Sequence, residues 1–118
     1  MGISIEAWDA SAKGAPERWK HLMAEELKKS RRFEIHCWSD ETAEIRMALA
    51  YGTIKATDWA YGTVITGEVT PDFIHFLLSL PEPDGNDLAA RRMTPFFTIA
   101  LDDGFWSEHY GTELNRAT

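Results

Sequence analysis

Three residues, Asp102, Asp103 and Gly104, separate the apolar runs TPFFTIAL and FWSEHYG. A link this short cannot return the chain for a parallel neighbour, which needs a crossover of about a dozen residues or more. The two runs are therefore expected to pair as an antiparallel C-terminal β-hairpin, with Gly104 taking the positive φ of the turn. On the first strand Phe97, Ile99 and Leu101 are expected on one side. On the second, Phe105, Ser107 and His109 alternate with Trp106, Glu108 and Tyr110, so the two sets cannot both face the core.

Upstream, the hydrophobic period switches back and forth between strand and helix. ISIEAW (3–8) alternates as a half-exposed strand. APERWKHLMAEELKKS (15–30) opens on Pro16 and Glu17 and closes on Lys28 and Lys29, with Trp19, Leu22, Met23, Leu27 and Ser30 at helical spacing. RFEIHCWSDE then alternates Phe33, Ile35 and Cys37 against Glu34, His36 and Trp38. ETAEIRMALAYG (41–52) reads as a helix capped by Ser39 or Asp40 and closing at Gly52, its buried stripe made by Ile45, Ala48 and Leu49.

Strands are expected near 53–58 and 62–69, where Thr, Val and Ile are frequent. In TPDFIHFLLSLP, Thr70 caps, Pro71 takes the first helical position and Pro81 follows the end. Apolar residues cover most of that helix, so it is expected to be the most buried of the three. PEPDGNDLAARR (81–92) reads as a surface loop.

The order β-α-β-α-β-β-α-β-β implies an α+β fold: one domain over residues 1–118, with a mostly antiparallel or mixed sheet and about three helices against one face. A chain of 118 residues, 44% hydrophobic, suits a single core. With Cys37 its single cysteine, it has no internal disulfide. The first residues lack the basic and apolar pattern of a secretory signal, and no apolar run approaches the roughly 18 residues of a membrane helix. A cytoplasmic protein without membrane contact is the expectation.

Charge narrows the partners. The net −7 is uneven: residues 1–32 hold seven Lys or Arg against five Asp or Glu, a local +2, which leaves −9 over residues 33–118. Such a surface disfavours nucleic acid and attracts basic partners. The cationic KKSRR (28–32) ends a helix, where the dipole already accounts for it.

Motifs for phosphate loops, dinucleotide sites, serine-nucleophile elbows and zinc proteases are all missing from the sequence. His36 and Cys37 are adjacent on a strand and point to opposite faces, so Cys37 reads as a core residue. Asp102 and Asp103 suit a turn without a metal, and no cofactor is implied. A dispersed site around His36, His109 and Glu108 stays open as an enzyme reading.

RFEIHCWSDETAEIRMALAYG, WAYGTVITGEVTPDFIHFLLSLP and MTPFFTIALDDGFWSEHYGTEL together resemble small bacterial immunity proteins paired with polymorphic toxins, including those of contact-dependent growth inhibition. The resemblance spans residues 33–114. It implies a non-enzymatic antitoxin that binds one cognate toxin domain, often a basic nuclease, and occludes its active site. It supplies no residue roles.

Charge and strand facing nominate Asp102, Asp103 and Glu108, with Trp106 and Tyr110 as anchors, for contact with a basic toxin. A second acidic patch is expected from Glu82, Asp84 and Asp87. Trp106 and Tyr110 could equally belong to a second packed layer. A regulatory or adaptor domain binding some other protein fits the same surface.

Overall fold

The structure is a computed structural model that describes residues 2–4, 8–81, 83 and 92–117. Glu82, Asp84 and Asp87 of the expected second patch lie outside the described residues. The fold is α+β. Among the described residues it contains strands β1 (Gly2–Ser4), β2 (Arg32–Trp38), β3 (Thr53–Lys55), β4 (Gly62–Glu68), β5 (Thr98–Leu101), β6 (Phe105–Glu108) and β7 (Glu113–Ala117), with helices α1 (Ala15–Lys29), α2 (Thr42–Leu49) and α3 (Pro71–Ser79).

The strands form one sheet in the order β1-β7-β6-β5-β2-β4-β3, and each neighbouring pair is antiparallel. β5 and β6 make the expected hairpin, with Gly104 at φ 98° in its turn. The chain then turns again into β7, so the hairpin belongs to a three-strand meander closed by the N-terminal β1.

One sheet face is packed by the helices. Phe33, Ile35 and Cys37 of β2 join Ile65, Ile99, Leu101, Phe105 and Leu114 from the other strands, against Trp19, Met23 and Leu27 of α1 and Phe73 and Leu77 of α3. Phe33 and Phe73 stack with centroids 3.9 Å apart. Burying a side chain of this size contributes about 1.5–3 kcal/mol, so this single layer of contacts sustains the fold. Trp19 satisfies its buried indole N–H on Ser107 Oγ, 3.1 Å away.

Several details differ from the sequence reading. α1 has six buried residues and α3 has two, so α1 is the more deeply packed helix. α2 ends before Gly52, at Ala50, and Leu49 is exposed. Neither Ser39 nor Asp40 caps α2; its N-cap is Glu41, whose side chain makes no capping bond. Phe97 precedes β5 and reaches the face opposite Ile99 and Leu101, because the backbone bends between Met93 and Phe97 before the ladder begins.

Candidate functional site

The alternation that buries Phe33, Ile35 and Cys37 turns Glu34, His36 and Trp38 to the other side of the sheet, where none of the three helices packs. Opposite these residues the ladder places Thr66, Val64 and Gly62 of β4, and Ala100 and Thr98 of β5. Small side chains in the middle of the face leave room for rings from its margins. Gly62 matters most, since a Cβ there would overlap the Trp59 ring. Trp59, in the β3–β4 connection, therefore lies on a backbone that only glycine keeps bare.

The resulting row of rings crosses the sheet. Trp106 of β6 meets His36 edge-on at 6.0 Å, and His36 lies 6.3 Å from Trp59. Trp59 is T-shaped to Trp38 at 5.0 Å, Trp38 meets Phe97 at 4.9 Å, and Phe97 meets both His109 and Tyr110 at 5.4 Å. These edge-to-face geometries favour rigid packing. Trp38 and Trp106 each remain 37% exposed, so the row is held in place and still open to a partner.

At the Trp38 end the row runs into a broad depression of about 850 Å³, walled by Trp38, Tyr61 and Tyr110 and lined by Asp40, Glu41, Glu44 and Arg92. Glu41 is fully engaged: one carboxylate oxygen accepts from the Trp38 N–H and the other from the Tyr110 hydroxyl, each at 2.8 Å. Burial and this carboxylate push the Tyr110 phenol up to about 12, so it remains a donor. The Arg92 guanidinium lies 3.7 Å above the Tyr110 ring. Tyr61 is 75% exposed. Asp40 and Glu44 make no ion pair among the described residues and leave the depression predominantly acidic.

Tyr110 is held there by an unusual turn. His109 and Tyr110 are both left-handed, at φ 51° and 62°, which costs on the order of 1–3 kcal/mol for residues other than glycine. The bonds that hold the turn converge on Tyr110: its N–H donates to the Phe97 carbonyl at 3.0 Å, and its carbonyl accepts from the Met93 N–H at 2.8 Å.

Of the residues nominated from sequence, Trp106, Glu108 and Tyr110 share this face. Glu108 accepts from the Asn115 amide at 2.8 Å. Asp102 stands at the far corner, beside Trp106 in a smaller hollow, and accepts from the Arg31 N–H at 2.8 Å, which holds its carboxyl below the usual range. Asp103 turns the other way, toward α1. The sequence reading omitted Trp59, Tyr61, Arg92 and Phe97 from the site and read Asp40, Glu41 and Glu44 only as a helix start. The one signal for Trp59 was Gly62, a glycine inside a strand.

Cys37, His36 and His109 each have different surroundings. Cys37 is fully buried, and burial, with Glu41 and Glu44 nearby, pushes its thiol up to about 12. His36 Nε2 lies 3.1 Å from Glu34, whose other oxygen takes the Lys55 ammonium at 2.6 Å and whose carboxyl is held below its usual range by that lysine. His109 Nδ1 lies 2.7 Å from Glu113. Among the described residues no three His, Cys, Asp or Glu side chains converge as a metal site, and no helix is long and apolar enough to cross a membrane. No family model matches the chain, and no curated protein or solved structure does either.

Proposed function

We propose that this protein is an inhibitor of the immunity type, a cytoplasmic binder that holds one cognate toxin domain through the face of its sheet opposite α1, α2 and α3. The observation that supports this reading is the ring row ending in the acidic depression. Half-exposed, mutually braced tryptophans are suited to anchor a desolvated contact. Asp40, Glu41 and Glu44 at one end of the row, on a chain of net −7, favour a cationic partner such as a nuclease domain. The aromatic contacts slow release and the charge hastens encounter.

The test is expression of the neighbouring gene's product alone and together with this protein. Toxicity of the product alone, relieved by this protein in a stoichiometric complex, is the expected result. A complex with a harmless partner would instead support an adaptor role, and no complex would overturn protein binding as the function.

A further inference from the structure

On the opposite side of the sheet, away from the ring row, Glu26 of α1 is 5% exposed and carries a full set of cationic contacts on one oxygen only. The Arg116 guanidinium from β7 reaches Glu26 Oε2 at 2.5 Å, and the Lys29 ammonium reaches the same atom at 3.1 Å. Among the described residues Glu26 Oε1 is buried with no hydrogen-bond partner, and so is Asp103 Oδ2 from the β5–β6 turn. The other Asp103 oxygen accepts from the Phe105 N–H at 3.1 Å. Ser30, beside them, already donates its hydroxyl to the Glu26 carbonyl at 2.8 Å.

Two buried carboxylates are acceptors only, and with the β5–β6 turn tied to the end of α1 through Arg31 and Arg32, Glu26 and Asp103 repel when both are ionised. A proton between them converts the repulsion into a charge-assisted O–H···O⁻ bond, among the stronger kinds a protein makes. We propose that Glu26 and Asp103 share one proton, forming a pH-sensitive clasp between α1 and the β5–β6 turn.

The charged and titratable groups facing the pair divide the roles. Burial opposes the ionisation of Glu26, but Arg116, a hydrogen bond from Asp103 and Lys29 together outweigh it and pull its carboxyl down to about 2. Asp103 makes no ion pair among the described residues, feels Arg116 only at longer range, and has its carboxyl pushed up by burial and the Glu26 carboxylate. Asp103 is thus the member that holds the proton.

The pH dependence follows from the two directions. Asp103, raised in the folded state, contributes stability in full below its ordinary 3.8 and loses it as pH rises through the folded value. Glu26, lowered, contributes in full above its ordinary 4.5 and loses it as pH falls toward about 2. The pair therefore stabilises most between 3.8 and 4.5 and less at neutral pH.

Denaturant unfolding of wild type and Asp103→Asn from pH 3 to 8 tests this, because the neutral amide donates to Glu26 at every pH. The ratio of wild-type to variant unfolding constants is expected to climb by up to about tenfold per pH unit above 3.8, then level off once folded Asp103 ionises. A ratio flat across the range would overturn the clasp. If Asp103→Asn fails to fold, ¹³C NMR of the wild-type Asp103 carboxyl decides: titration above 3.8 sustains the shared proton, and titration at or below 3.8 overturns it. Wild-type stability that depends on sodium, and is lost when a bulky organic cation replaces it, would assign the gap to a bound ion and likewise overturn the proposal.

Discussion

Gly62 pairs with Trp38 across the β2–β4 ladder, and the missing side chain is what lets Trp59 lie down on the strand. Replacing it by valine forces the indole off its seat. Gly62→Val is expected to destabilise the fold by about 1–3 kcal/mol, as overpacking does, and to shift tryptophan fluorescence to longer wavelength. Unchanged emission would mean that Trp59 is placed by something other than the bare backbone.

At this scale, strand alternation made the two faces of β2 legible in the sequence. Turn residues were not legible in the same way: Asp102 and Asp103 are chemically alike neighbours, and which one turns toward Glu26 depends on where α1 lies. Nor does alternation continue past a strand end: Phe97 and His109, expected beside the core residues of their strands, took directions set by the bend before β5 and the left-handed turn after β6.

Among the elements, α3 is the one most clearly written into the sequence. Thr70 accepts from the Phe73 N–H at 3.1 Å and Pro71 opens the helix, as its residues imply. Thr70→Ala is expected to cost about 1 kcal/mol in denaturant unfolding, with the slope against denaturant unchanged. A loss below the error of the measurement would show that packing by Phe73 and Leu77 alone sets the start of the helix.

β7 shows the opposite case. ELNRA offers one strand-like apolar residue, Leu114, and becomes a strand because β6 and β1 pair with its two edges. Apolar content alone also misjudged burial. α3 is apolar around most of its circumference, yet several of its large side chains stay half-buried, whereas α1 presents a narrower stripe and buries more of it, including Glu26.

For the molecule as a whole, the architecture separates stability from recognition. The three described helices and the core occupy one face of the sheet. The other carries a braced row of rings that ends in the acidic depression, which places anchors and charge on the same side of the protein. The α+β class and the hairpin were readable because short links and periodicity dictate them. The site was only partly readable, because it gathers Trp38, Tyr61, Arg92 and Tyr110 from four separate segments.

The measurement that bears most directly on the docking face is titration calorimetry of the neighbouring gene's product against wild type and the Asp40→Lys, Tyr61→Ala, Glu44→Lys triple variant. All three positions lie in the depression outside the hydrophobic core, so the variant is expected to keep its thermal midpoint within a few degrees. The expected result is a loss of affinity of about tenfold or more, greatest at low salt. Equal affinity for both proteins, in a variant shown to be folded, would contradict the assignment of the face opposite α1, α2 and α3 as the surface that binds.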